Sequence, residues 1–212
     1  DSRLSRGLGD VYKRQYHFDN SLVASYLKKR SQNIEIIDDI YTSSKMNDDG
    51  TVKSLHFESG LELEVDLVVD CSGFRKLIIG DQYKTKWKSY QDNLPVNRAM
   101  PFFLDINEDN YINYTLAWAQ KFGWMWQIPT QERIGAGYVY CDQFISPDQA
   151  QEEIEKVLGH KIEPRRDIKF NSGRLEKYWV KNCLAIGLSS GFLEPLEACL
   201  LYTSPSPRDK RL

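Results

Sequence analysis

The hydrophobic period changes between Leu61 and Gly73, and that change limits the folds open to this chain. Leu61-Glu62-Leu63-Glu64-Val65 alternates, as a strand does with one wet face. Leu67-Val68-Val69 is a continuous apolar run instead, closed by Asp70-Cys71-Ser72-Gly73. The switch predicts a strand that leaves a half-exposed meander and enters a buried sheet. A buried strand ending in Asp-small-small-Gly also lets backbone approach a dinucleotide, because Gly73 carries no Cβ. Many α/β proteins end a strand this way without binding one.

The two ends of the chain encode one another. Ser5–Gln15 can be back-translated so that the reverse complement reads Cys-Leu-Leu-Tyr-Thr-Ser-Pro-Ser-Pro-Arg, which is Cys199–Arg208. This resembles a transposon-type sequencing adapter read at both ends, so residues 1–15 and 199–212 are expected to be non-native. The natural stretch is then Tyr16 to Ala198, part of a metagenomic gene. It holds 21 basic and 27 acidic residues, where the whole chain of 212 holds 28 and 30. That balance offers no footprint for nucleic acid. No apolar run approaches the roughly 20 residues of a membrane span. A 12% aromatic share supplies core material and excludes wholesale disorder. The cysteines lack close pairs, which argues against a disulfide framework or a zinc site. Cys71 and Cys183 read as small buried hydrophobes, and a cytoplasmic setting is expected. His17, His56 and His160 have no metal-like spacing and read as ordinary, partly exposed residues.

Local chemistry places the other elements. Asp19–Lys29 has helical spacing and a basic end, Lys28-Lys29-Arg30, suited to a helix C-terminus. Asn33–Ile40 alternates as a strand. Asn47-Asp48-Asp49-Gly50 predicts a hairpin turn between that region and a strand over Thr51–Glu58. Leu61–Val69 is the next strand, and 80–97 is polar and irregular. Arg98–Ile106, Tyr111–Trp118, Gly123–Pro129 and Gly135–Tyr140 predict a second sheet. Ser146-Pro147-Asp148-Gln149 opens a helix that should run to Leu158 and end at Gly159. Asp167–Asn171 and Leu184–Ile186 read as strands, and Phe192 as the start of a helix.

Two further segments carry candidate chemistry. Asn182–Phe192 reads as strand, Gly-rich turn and helix start, an arrangement that favours a phosphate, a flavin oxygen or a halide; it is equally a plain junction. Phe122-Gly123-Trp124-Met125-Trp126-Gln127-Ile128-Pro129 puts two tryptophans on one face of a strand, which by itself reads as core packing.

Taken together these motifs resemble the flavin-dependent halogenases of the tryptophan halogenase family. Gly123-Trp124-x-Trp126-x-Ile128-Pro129 is similar to the family hallmark. Tyr16-His17-Phe18-Asp19, Asp70–Arg75, Gly135–Tyr140, Ser172-Gly173-Arg174 and Gly191-Phe192-Leu193-Glu194-Pro195-Leu196-Glu197 are similar to further blocks, in the family's order. The family's Gly-rich FAD turn and catalytic Lys are expected before Tyr16, and its Ser-Thr-(Gly/Ser) halide segment after Glu197. None of these is found in this sequence.

The resemblance implies an α/β chain that is part of a two-domain, FAD-dependent monooxygenase-like fold. A Rossmann-type FAD domain, lacking its first βαβ unit, takes residues 16–80 and returns over 181–198. A mixed-sheet substrate domain takes 81–180. It implies reduced FAD from a separate flavin reductase, halide as co-substrate, an electron-rich aromatic substrate, free or carrier-bound, and a full-length protein that either pairs as a homodimer or stays single. Glu197 would be the acidic catalytic partner of a Lys. Trp124, Trp126, Ile128 and Pro129 would wall the flavin from the substrate. Asp70, Ser72, Gly73, Gly187, Leu188, Gly191 and Phe192 would hold the cofactor. Leu188 stands where flavin hydroxylases often carry an Asp, which favours the halogenase over a related aromatic monooxygenase; a non-catalytic FAD-binding remnant is the other alternative. The piece as given is expected to be inactive, poorly soluble and colourless.

Overall fold

The computed structural model describes residues 17–107 and 112–194. Two helices, α1 (Asn20–Arg30) and α2 (Pro147–Leu158), accompany fourteen short strands among them. The strands are β1 (Tyr41–Met46), β2 (Val52–Phe57), β3 (Glu62–Glu64), β4 (Val68–Asp70), β5 (Trp87–Ser89), β6 (Arg98–Leu104), β7 (Leu116–Ala119) and β8 (Gly123–Pro129). They continue with β9 (Ile134–Tyr140), β10 (Ile168–Lys169), β11 (Gly173–Leu175), β12 (Trp179–Val180), β13 (Cys183–Ala185) and β14 (Gly191–Phe192). They form sheets in the orders β1-β2-β3, β10-β6-β9-β8-β7, β14-β11-β5 and β12-β13-β4. The chain divides into two compact units. Of the described residues, one holds 17–36, 100–107, 112–138 and 148–166; the other holds 37–99, 139–147 and 167–194.

The second unit contains the meander. Asn47 N–H donates to the Thr51 carbonyl and Gly50 N–H to the Asn47 carbonyl, closing the β1–β2 hairpin. Only Gly50 in that turn takes a positive φ, +81°, so the Asp-Gly signal acts through the glycine alone. The run 61–69 divides at Val65–Leu67 into β3, which pairs with β2, and β4, which pairs in parallel with β13. The change of period therefore marks a change of sheet. Asn182 stitches the two together: its side chain accepts from Val52 N–H at 2.8 Å and donates to the Val52 and Asp66 carbonyls at 2.9 and 3.1 Å. Val52, Val68, Ile78, Ile79, Leu175, Cys183 and Ala185 form the core beneath.

Four expectations over residues 33–97 are corrected. Residues 33–40 are not a strand, and Ile34, Ile36, Ile37 and Ile40 are exposed. Alternation alone cannot make a strand without a partner, and among the described residues β2, which pairs with the stretch that follows, ends at Phe57 opposite Tyr41. Leu67 and Val69 are exposed while Val68 and Asp70 are buried, because β4 is an edge strand with one face covered. Cys71 continues that alternation and is exposed, whereas Cys183 is buried as expected. The segment 80–97 contains a short strand, β5, which pairs with β11.

Helix α2 begins at Pro147 and is closed by Gly159, whose φ is +76° and whose N–H donates to the Glu155 carbonyl at 2.9 Å. Ala150 and Ile154, one turn apart, are its buried apolar residues. The Tyr138 hydroxyl donates to the Glu153 carboxylate at 3.0 Å, tying β9 to this helix. The expected strand from Tyr111 begins at Leu116; Tyr111 itself lies outside the described residues.

Candidate functional site

Strands β4 and β13 run parallel, with Cys183 opposite Val68 and Ala185 opposite Asp70. Both open into turns at their C-terminal ends, where parallel α/β sheets place ligands. The turn after β4 is built on Asp70, which is 2% exposed. One carboxylate oxygen accepts from the Ser72 N–H at 2.9 Å and hydroxyl at 2.6 Å. The other accepts from the N–H groups of Ile78 and Ile79 at 3.0 and 2.9 Å. Burial works to raise this carboxyl, but the hydrogen bonds from Ser72, Ile79 and Ile78 outweigh it and hold the group below the usual aspartate range. The carboxylate thus organises the turn from within, and Ser72 adds a bond from the Leu77 N–H at 2.8 Å.

The turn after β13 is a short 3-10 segment, Gly187–Ser189. Ser189 ties it to the first turn by donating to the Gly73 carbonyl at 3.2 Å. Gly73 and Gly187 both have positive φ, +69° and +60°, and a Cβ on either would meet nothing within 4 Å. Two backbone turns thus lie side by side, each with open space at a glycine, as a cofactor approached through its backbone contacts requires. Leu188 is exposed beside them.

Past this turn the expected helix start is not found. Gly191–Phe192 is strand β14, paired with β11. The Ser172-Gly173-Arg174 block supplies the partner strand that sequence periodicity could not reveal, and it draws Phe192 into the sheet. The Phe192 ring makes edge contacts with Phe74 at 5.3 Å and Phe170 at 5.1 Å, so it packs as the middle of an aromatic cluster. Glu197, the expected catalytic carboxylate, lies outside the described residues, as do Pro195 and Leu196.

In the other unit, β8 carries the two tryptophans. Trp124 and Trp126 share a face, with ring centroids 6.1 Å apart and planes inclined by 61°. Both are half-buried, as is Ile128 two residues on, while Met125 and Pro129 on the opposite face are buried. The site for the Trp126 ring exists because Gly137 on β9 lacks a side chain: a Cβ there would stand 2.0 Å from the indole Cη2. The periodicity of β8 foretold the shared face, but nothing local foretold the partnership with Gly137.

Sequence reading also missed a latch on the same strand. His17 Nδ1 lies 2.9 Å from the Pro129 carbonyl, and its Nε2 lies 3.1 Å from the Thr115 hydroxyl. Asp19 caps α1 by accepting from the Ser21 N–H at 2.8 Å and forms an ion pair with Arg133 at 2.6 Å. Hydrogen bonds from the Ser21 hydroxyl and N–H, then from Arg133, hold the Asp19 carboxyl down at about 2. The motif Tyr16–Asp19 was the available signal, yet His17 read as an ordinary residue because its partners are remote in sequence.

The family model described as Tryptophan halogenase matches residues 4–206, past both ends of the stretch Tyr16–Ala198. The tryptophan 7-halogenase KtzQ of Kutzneria sp. (strain 744) is 35% identical over 217 residues, covering 96% of this chain and 40% of the relative. The solved structure of the tryptophan 6-halogenase SttH from Streptomyces toxytricini superposes with a TM-score of 0.82 at 34% identity, over 88% of this chain and 38% of that one. BrvH, a flavin-dependent halogenase from Brevundimonas sp. BAL3, gives 0.80 at 37% identity, over 86% and 38%. The chain therefore spans about two fifths of the length of these relatives.

Proposed function

Because this chain belongs to the tryptophan halogenase family, we propose that the complete protein of which it is a part is a flavin-dependent halogenase. It would use reduced FAD, oxygen and halide to halogenate an electron-rich aromatic of the tryptophan or indole type, with a separate reductase supplying the flavin. The observation that carries this reading is the pair of tryptophans on β8, with Trp126 seated on Gly137. Two large rigid rings on one face suit a barrier that keeps water and substrate from the oxidising centre.

Reduced FAD, when bound, would supply with oxygen the two-electron oxidation of the halide. This chain's part is to hold and separate. The turns at Ser72-Gly73 and Gly187-Leu188 offer backbone at the ends of parallel strands, where the cofactor would lie. Asp70 acts there through the shape of its turn, since its oxygens are occupied. Gly191 and Phe192 support that turn from β14. Ile128, on the same face, continues the wall of Trp124 and Trp126; Pro129, on the opposite and buried face, ends the strand behind it, and Glu197 is the proposed proton acceptor or oxidant-polarising group beside the substrate. Residues 16–80 and 181–198 belong, in this reading, to the cofactor domain and 81–180 to the substrate domain; the parallel β4–β13 pairing supports joining the first two.

The test is the complete protein with reduced FAD, oxygen, chloride or bromide, and a panel of indoles and phenols. A halogenated product is expected. Flavin oxidation that yields only hydroxylated or unchanged aromatic defeats the proposal. The segments 1–15 and 199–212 are proposed as adapter-derived. Resequencing the source gene should return different codons there, and natural codons for Cys199–Pro205 would refute it.

A further inference from the structure

Strand β8 has two neighbours in its sheet, β9 and the edge strand β7. Its register with β7 sets Leu116 against Gln127, Ala117 against Trp126 and Ala119 against Trp124. A slip of β8 by one residue against β9, carrying β7 with it or not, would turn both tryptophans to the opposite face, since side chains alternate along a strand. It would also take the indole of Trp126 away from Gly137, the position whose missing side chain accommodates it.

Among the described residues β7 is laddered to β8 alone, so β8 has a single neighbour on that side to hold its register. Here the open end of the β7–β8 pair is bridged by His17. A carbonyl only accepts, so Nδ1–H donates to Pro129, the last residue of β8; in the neutral ring Nε2 then accepts from the hydroxyl of Thr115, the residue before β7. One imidazole thus joins one end of each strand. The β8–β9 turn is held next door: Thr130 N–H and hydroxyl both donate to the Arg133 carbonyl. The Arg133 guanidinium pairs with Asp19 and lies 3.9 Å over the Phe103 ring, which Arg165 also covers at 4.5 Å. Helix α1, which follows, buries none of its described residues.

We propose that His17 and the Asp19–Arg133 pair are positioning residues that lock the register of β8, keeping Trp126 seated on Gly137. The inference rests on the reading of the tryptophans as a wall, but its physical content is a register lock that can be measured without flavin or substrate. The experiment is hydrogen–deuterium exchange on the complete protein, comparing His17→Ala, His17→Asn and Arg133→Ala with wild type. His17→Ala should speed exchange over 116–129 by roughly fivefold, the loss of about one net hydrogen bond, with 41–57 unchanged. His17→Asn, whose amide N–H can occupy the Nδ1 position, should recover much of the protection. Unchanged exchange over 116–129, or equal acceleration over 41–57, overturns the proposal. Product formed per reduced FAD consumed is read in parallel. A fall in His17→Ala with flavin oxidation maintained supports both the lock and the wall. Accelerated exchange with an unchanged product ratio keeps the lock and removes the catalytic reading of the wall.

Discussion

Gly137→Ala should destabilise the protein by about 3 kcal/mol, the upper end for forcing a methyl into a packed site. The added Cβ would stand 2.0 Å from Cη2 and 2.1 Å from Cζ2 of Trp126. Those atoms belong to a rigid bicyclic ring, so relief requires the indole to leave its rotamer or β9 to shift. Gly137 is also buried with its neighbours Ala136, Tyr138 and Val139, which leaves the strand little room to move. Gly135, two residues earlier on the same face, is the control. A Cβ there meets only the Ile128 carbonyl at 3.7 Å, an ordinary contact. Gly135→Ala should therefore stay within about 0.5 kcal/mol of wild type. Urea titration reads both, and Trp126→Phe in the Gly137→Ala background should recover at least about 1 kcal/mol, since the shorter ring vacates the contested space. Equal effects of the two alanines, or no coupling with Trp126→Phe, would show that the indole does not depend on this glycine. If the wall reading holds, Gly137→Ala also lowers halogenated product per flavin oxidised in the complete enzyme.

What could be read from the sequence was what is decided locally. The turn Asn47–Gly50 follows from one glycine, and α2 from Pro147 at its start and Gly159 at its end. Alternation found β8 and placed both tryptophans on one face. The family blocks found the two turns at Gly73 and Gly187. The failures share a different cause. Ile34, Ile36 and Ile40 alternate as a strand, yet β2 has no length left to pair with them. Strands β11, β12 and β14 are two or three residues long, too short to show any period, and exist because a partner is present. His17 finds Pro129 across 112 residues, and Trp126 finds Gly137 through a ladder. Partnership between distant residues is a property of the fold, and only a motif resemblance pointed at these positions.

Asp70→Asn should weaken the protein by about 3 kcal/mol at neutral pH, because it turns a satisfied buried acceptor into a partly opposed one. Asp70 accepts on both oxygens: Ser72 N–H and hydroxyl on one, Ile78 and Ile79 N–H on the other. An asparagine supplies one oxygen and one NH2 group. Whichever way the amide turns, it sets a donor against donors, and at 2% exposure water has little access to compensate. The loss falls on the turn that carries Gly73, so amide exchange at Ile78 and Ile79 should accelerate with the global midpoint. The effect has a pH signature. The folded carboxyl lies below its usual range, so its stabilising contribution is complete above about pH 4, the ordinary aspartate value. It declines as pH falls towards the depressed folded value and is gone below it. Asparagine does not titrate, and the other acids titrate in both proteins. The gap between wild type and Asp70→Asn must therefore be widest near neutrality and narrow through the acid range. A gap that stays constant from pH 7 to pH 3 would mean that the variant acts through shape alone, and that Asp70 is not the charged centre of the turn.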